Sequence, residues 1–318
     1  MKYLVTLKPL EPFMFGGDQT FGTLGDKETG SYLVKSRQFP QQTALLGMLK
    51  KELMTQAGLL TRKRRGEWID KAKHAEANSL TGVEKFDMLS TKVQEFGSIK
   101  NISPVFLMQN KKRYIKKVDS DNFAYVDGKL EGYNPKKDIY DNFVSLDGGV
   151  KLSSEDIFGT VEQTGNKKGG EENSLFKKTS YLFKADFVFA FYLEVEYDLK
   201  SAMVSLGADR SSFMMNVEAS HEILDYTDTK GYTTLLSDAY ITLDIKEHTQ
   251  FAITSEISHR NLVSKKSALK TNKFEKSKTL YLYEKGSVLL EPSEELLENL
   301  NNKNLQQIGY NIFTKGEK

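Results

Sequence analysis

Four histidines, His74, His221, His248 and His259, are the residues of this 318-residue chain best suited to proton transfer or metal binding near neutral pH. No two have metal-ligand spacing, and no H-E-x-x-H occurs. His221-Glu222 and His259-Arg260 have the residue types of an acid–base ribonuclease, but isolated histidines are more often structural. Carboxylates are plentiful without a paired-acid motif. Asp18, Asp26, Asp209 and Asp238 sit in turn-like contexts, where aspartate bonds local backbone. Gly16-Gly17, Gly22 and Gly25 have turn chemistry, and no Walker lysine follows them. The absence of cysteine excludes disulfides, thiolate zinc sites, iron–sulfur clusters and cysteine nucleophiles together. The residues thus offer no catalytic centre, metal site or cofactor site, and the chain reads as a non-enzyme.

The cations carry more pattern. Arg62–Arg65, Lys111–Lys117, Lys167-Lys168 with Lys177-Lys178, and Lys265-Lys266 with Lys270, Lys273, Lys276 and Lys278 make four local positive blocks. The net charge is only 45 − 43 = +2, because acids such as Glu291, Glu294, Glu295 and Glu298 lie elsewhere. A chain neutral in sum can still present a positive groove to phosphates. Each block taken singly also fits a solvated loop. Tyr114, Phe123, Phe158, Phe176 and Phe274 lie beside the cations and would stack on bases where exposed.

These side chains need elements to hold them. Residues 2–8 alternate, with Tyr3, Val5 and Leu7 on one face, and predict a strand. Phe39-Pro40 starts a helix in which Leu45, Met48, Leu49 and Leu53 form one stripe, and Gly58 ends it. Lys50 and Lys51 fall off the stripe. Residues 61–98 are polar and irregular and read as an insertion, with a helix over 66–78 from Trp68, Ala72 and Ala75. Residues 102–126 read as strands. Residues 127–180 are rich in Gly, Asp, Asn and Lys. Alternation from Phe183 to Tyr197 predicts one long strand, and Ala239-Ile241-Leu243-Ile245 a shorter one. Thr279 to Leu290 reads as two strands joined at Glu284-Lys285-Gly286. Pro292, Glu294 and Glu295 open a short helix. The fold class is α+β, two sheet-and-helix units meeting near residue 180, the length of about two domains. No segment has the roughly 20 apolar residues of a membrane span, so a soluble cytoplasmic protein without membrane contact is expected.

Four segments together resemble a known family. The opening strand runs into Pro9-Leu10-Glu11-Pro12-Phe13-Met14-Phe15-Gly16-Gly17. Phe39-Pro40-Gln41-Gln42-Thr43-Ala44-Leu45-Leu46-Gly47 is similar to an F-P-x-x-(S/T)-x-L-x-G helix start. Val204-Ser205-Leu206-Gly207-Ala208-Asp209-Arg210 is similar to an L-G-G-E-R turn. Gly286-Ser287-Val288, followed by Ile308-Gly309-Tyr310, is similar to the family's C-terminal end. The chain resembles the RAMP subunits of type III CRISPR effector complexes, and most of all the third subunit of the Cmr (type III-B) complex, of the Cas-five class. It departs from the family at Ala208, Asp209 and Asn311. Asparagine tolerates left-handed backbone, so the turn at 311 is expected to keep its shape.

The resemblance implies two ferredoxin-like (RRM-like) βαββαβ domains. The first covers 1–178, with the insertion at about 61–98 and a thumb-like hairpin at about 150–178; the second covers 179–318. It implies a non-catalytic subunit that binds the 5′ repeat-derived handle of the guide RNA. That subunit bridges the large polymerase-cyclase subunit to the backbone RAMP subunit in antiviral defence. Carried over by position, the RNA-binding residues are Lys35, Arg37, Gln38, Phe39, Gln41, Gln42, Thr43 and Lys50. The hairpin adds Phe158, Thr160, Gln163, Thr164, Gly165, Asn166, Lys167 and Lys168, and the turn adds Arg210. Phe39 serves equally well to pin the helix to the sheet. A mainly structural adaptor that binds proteins rather than RNA is one rival, and two alternatives nearer the family stand beside it. One is a metal-independent guide-RNA-processing endoribonuclease using His221 or His259. The other is the equivalent subunit of a type III-A (Csm) complex.

Overall fold

The computed structural model describes residues 1–17, 19–21, 32–64, 67–83, 85–120, 124–134, 136–137, 139–166, 175–207, 210–228, 231–260, 262–266 and 272–316. The protein is a strand-rich mixed α/β fold with few helices, as the α+β reading requires. Among the described residues, no helix is long and apolar enough to cross a membrane.

The alternating opening segment forms strand Lys2–Pro9 at the middle of a mainly antiparallel sheet. It pairs on one side with Val188–Val195, Val5 facing Phe191, and on the other with Ser211–Ala219, Val5 facing Val217. The sheet continues through Phe106–Gln109, Lys112–Lys116, Asn142–Ser145 and Lys151–Ser153 beyond Val188–Val195, and ends at Ala202–Leu206 on the other side. One face buries Tyr3, Val5, Leu7, Phe13, Phe189 and Phe213 against Leu45, Leu49 and Leu53 of helix α1 (Gln42–Gln56). The opposite face buries Phe106, Ile115, Ala190 and Tyr192 under Tyr226 and Leu236. Both faces of Val188–Val195 are therefore apolar, as a central strand demands.

A second sheet contains the hairpin of Phe158–Asn166 and Leu175–Phe183, with Tyr32–Lys35 and Gln19–Phe21. Residue 178 lies inside the second of these strands. A third sheet is C-terminal: Phe251–Ile253, Val288–Leu290, Thr233–Leu235 and Phe313–Thr314. Behind it Leu235, Leu289, Leu296 and Leu300 make their own core.

Three expectations are corrected. The alternation over Phe183–Tyr197 spans two strands, because the chain crosses from the hairpin to the main sheet at 184–187, where Lys184 and Ala185 are exposed. The 239–245 segment makes one bridge, Ala239 to Tyr283, and then the short helix Ile245–His248. Its apolar residues are buried, so the alternation reported burial and not a ladder. The insertion helix starts later than 66. Helix α2 is Lys71–Thr81, capped by Asp70, whose side chain accepts from the Lys73 amide, while Trp68 lies on a two-residue strand paired with Lys63–Arg64.

Candidate functional site

The two segments chosen from sequence, 35–43 and 158–168, come together through backbone pairing. Tyr32–Lys35 runs parallel to Leu175–Phe183, with Lys35 opposite Thr179. Ser36 extends the contact by donating its amide to the Thr179 carbonyl at 2.8 Å. Its buried hydroxyl accepts from the Phe15 amide at 2.9 Å and donates to the Arg37 carbonyl at 2.8 Å, which fixes the bend that leads to α1. Gln38 donates to the Ser154 hydroxyl at the base of the hairpin. One sheet thus carries both segments.

The bend lines a cleft of about 400 Å³. Lys35, Arg37, Gln38, Phe39 and Gln41 form one wall; Asp238, Ser255, Ile257, Glu284 and Lys285 form the other, with Lys116, Tyr140 and Asp141 at the side. The far wall is the part that sequence reasoning missed. Its only signal was a charged pair, Glu284-Lys285, at a turn between two apolar strands.

The cleft is a mixed-charge site. Lys116 is buried and paired with Glu284 at 2.7 Å and Asp141 at 3.7 Å. Lys285 is buried with its Nζ 4.0 Å from the Phe39 ring centre and 3.3 Å from the Val105 carbonyl, to which it donates. Burial pulls the Lys285 amine down to about 8, against the opposing pull of Asp238 and Glu284. Arg37 is half-buried and donates to the Ser258 carbonyl and hydroxyl. Such a cleft offers both donors and acceptors to a polar, planar ligand. Lys35, exposed at its rim, adds a cation for phosphate.

Helix α1 opens on Gln41 without a capping side chain and without an acid in its first turn. A 15-residue helix concentrates positive dipole there, where the Thr43 backbone meets the buried Tyr310 hydroxyl.

Other predicted residues are committed to the protein interior. Phe39 is 9% exposed and packs on Phe143 and Phe189 at 6.1 and 5.9 Å, so it pins the helix. Gln42 is buried; its Nε2 donates to the Ser103 and Gly309 carbonyls, each at 3.0 Å. Gly309 has φ +87°, and a Cβ there would lie 2.3 Å from Gln42 Nε2. The Ile308-Gly309-Tyr310 motif is thus the lock on the start of α1. Asn311, with φ 54°, is wholly buried; its side-chain amide bonds both backbone groups of Tyr240, at 2.8 and 3.0 Å. The turn shape survives the loss of glycine, as expected. Thr43 is half-buried beside Tyr310, whose phenol burial pushes up in pKa. Lys50 lies 4.8 Å from the Phe96 ring on the body of α1.

On the hairpin, Phe158 is buried among Phe143, Tyr181 and Phe183 and anchors the base. Thr160, Gln163 and Thr164 are exposed and Gly165 is half-exposed. Gln163 faces Lys178 across the ladder, and Lys177 pairs with Glu162 at 2.8 Å. Lys167, Lys168 and the side chain of Asn166 lie outside the described residues, as do Ala208 and Asp209. Arg210 is exposed at φ 56° and closes a turn on the Gly207 carbonyl. Gly207 itself, at φ +96°, lies so near Met14 that a Cβ would stand 2.3 Å from that carbonyl.

Two further sequence candidates change character. The Lys111–Lys117 block is largely neutralised within the fold: Lys112 with Asp147, Arg113 with Glu222, Lys116 as above, and Lys117 with Asp228 at 3.1 Å. His259 is 2% exposed, and neither ring nitrogen has a hydrogen-bond partner. Burial, with the nearby Arg37 charge, depresses its pKa to about 4. A neutral imidazole sealed from solvent is poorly placed to move protons at a phosphate.

The family model for CRISPR-associated protein (Cas_Cmr3) matches residues 5–117, from the opening strand through α1 to the Lys112–Lys116 strand. Residues 5–117 carry the Cmr3 family signature. The resemblance read from the sequence is borne out. A chain in the cryo-EM structure of the type III-B Cmr-beta bound to cognate target RNA is similar at a TM-score of 0.54 and 13% identity, covering 99% of this chain and 96% of that one. A second, from the same kind of assembly with cognate target RNA and AMPPnP, scores 0.52 at 14% identity, with the same coverage of 99% and 96%. At such identities the likeness is one of fold, and it runs nearly end to end. None of the curated proteins searched matches the chain.

Proposed function

We propose that this chain is a non-catalytic subunit of a type III CRISPR effector complex, of the Cmr (type III-B) kind, that holds the 5′ handle of the guide RNA. One observation carries the reading. The pairing of Tyr32–Lys35 with Leu175–Phe183 makes a single surface of the 35–43 bend and the 158–183 hairpin, beside a polar cleft. Lys35 and Arg37 meet phosphates; Gln38 and Gln41 meet unpaired base edges; Thr160, Gln163 and Thr164 flank the strand as it leaves. Interior-facing Phe39, Gln42 and Phe158 hold these groups in place. Support comes from the family match over 5–117 and from the shared fold with chains of RNA-bound type III-B assemblies.

In this reading the chain has two ferredoxin-like units whose strands share the main sheet, and it joins the large polymerase-cyclase subunit to the first backbone RAMP subunit. The test is nuclease protection of guide RNA in the purified complex. Wild-type complex is expected to shield the 5′ handle, and Lys35→Ala/Arg37→Ala complex to expose it while the remaining guide stays protected. A complex lacking this chain that still shields the handle would falsify the reading.

A further inference from the structure

Arg62 does not line the cleft. Helix α1 separates them: Phe39 and Gln41 at its start line the cleft, and the chain leaves its far end through Ala57-Gly58 directly into the insertion. Fifteen helical residues put the two ends roughly 22 Å apart. There two short strands pair, Lys63 opposite Trp68 and Arg64 opposite Glu67, and the Ile69 amide donates to the Arg62 carbonyl at 3.1 Å.

The composition of residues 62–73 is one-sided: Arg62, Lys63, Arg64, Arg65, Lys71 and Lys73 against Glu67 and Asp70. Asp70 is already engaged by the helix cap it makes with the Lys73 amide. Arg62, Lys71 and Lys73 are exposed. Among these cations stands the chain's single tryptophan. The half-buried Trp68 ring stacks on His74 of α2 at 4.0 Å and an interplanar angle of 21°. The stack fixes an aromatic plane beside Arg62, Lys71 and Lys73, the combination that tracks single-stranded nucleic acid without reading its sequence.

We infer that Arg62, Trp68 and the start of α2 with Lys71 and Lys73 form a second, sequence-independent contact for single-stranded RNA, at the opposite end of α1 from the cleft. This surface is separate from the handle reading and stands or falls without it. An acidic protein surface would also be attracted to the cations, but would have no use for the aromatic plane.

Trp68 makes the test direct, since all tryptophan emission of the full chain comes from this site. Full-length protein is titrated with a 20-nucleotide oligouridine, which has no handle sequence. Binding is expected to change Trp68 emission in a saturable way and to weaken steeply with salt. Arg62→Ala/Lys71→Ala/Lys73→Ala, at exposed positions, is expected to flatten the slope of log affinity against log salt by about 2, three phosphates' worth for a single strand. Its melting temperature should be unchanged, which separates lost contacts from lost folding. The inference is overturned if oligouridine does not bind, if it binds with no change in Trp68 emission, or if the triple variant keeps the wild-type salt slope. It is equally overturned if polyglutamate changes Trp68 emission as oligouridine does, with the same loss in the variant.

Discussion

The bend at 35–43 and the arm at 158–183 meet in one sheet, yet they are built oppositely. The bend buries Ser36, Phe39, Pro40 and Gln42, with Phe39 under Lys285, Gln42 on Gly309 and Ser36 on Phe15. The arm buries Phe158 and Tyr181 at its base, pairs by backbone with Tyr32–Lys35, and leaves Thr160, Gln163 and Thr164 to solvent. A rigid bend can pre-organise donors for a ligand at little entropic cost on binding. An exposed arm can be altered without disturbing the core. The prediction that follows is a gradient: substitutions in the bend cost stability first, and substitutions in the arm cost binding alone.

Phe39→Ala should show the largest effect. It empties a buried aromatic site and removes the ring beneath a buried amine, so a loss of about 3–5 kcal/mol is expected in denaturant unfolding. Gln42→Ala comes next. It leaves the Ser103 and Gly309 carbonyls without their donor in a buried place, at a cost of about 2–3 kcal/mol. A melting temperature unchanged in either variant would break the claim that the bend is held from below.

Much of the bend's framework was legible in sequence, and its partners were not. The apolar stripe at Leu45, Met48, Leu49 and Leu53 announces α1, and all four side chains are buried. The hairpin near 150–178 came only from the family likeness, and its first strand is Phe158–Asn166. Its second ran unnoticed into the alternation at Phe183, because a strand crossing between sheets keeps its period through the bend. The far wall of the cleft was invisible for a different reason. Arg37 meets Ser258, and Lys116 meets Glu284, across separations of 221 and 168 residues. Local spacing carries no record of such contacts. The same limit hid the neutralisation of Lys117 by Asp228. The Gly309 motif was noticed as a likeness; that it makes room for Gln42 is a matter of packing.

His259, beside Arg37 of the bend, gives the fold a pH dependence. Its folded-state pKa is depressed from 6.5 to about 4, so between those values the unfolded chain binds a proton that the native chain refuses. For a base shifted downward, stability is full above pH 6.5 and is lost as pH falls toward 4. The slope is about 1.4 kcal/mol per pH unit at most, giving about 2 kcal/mol between pH 6.5 and 5. Urea melts of wild type and His259→Phe across that window should diverge, the variant losing less stability on acidification. Parallel curves would mean that the imidazole is not sealed as the packing against Tyr310 indicates.

The smallest stability effect belongs to Thr160→Ala/Gln163→Ala/Thr164→Ala. These side chains project from a nine-residue strand into solvent, and the ladder to Leu175–Phe183 uses backbone groups that alanine retains. Unfolding free energy should move by less than about 0.5 kcal/mol per substitution. Handle-RNA affinity of the assembled complex should nonetheless fall several-fold, through faster dissociation, because contacts are lost without reorganising the bend. The contrast with Phe39→Ala is then complete: one variant unfolds easily and the other releases RNA easily. If the triple variant bound the handle like wild type, RNA contact would belong to the bend alone, and the arm would be left to contact neighbouring subunits.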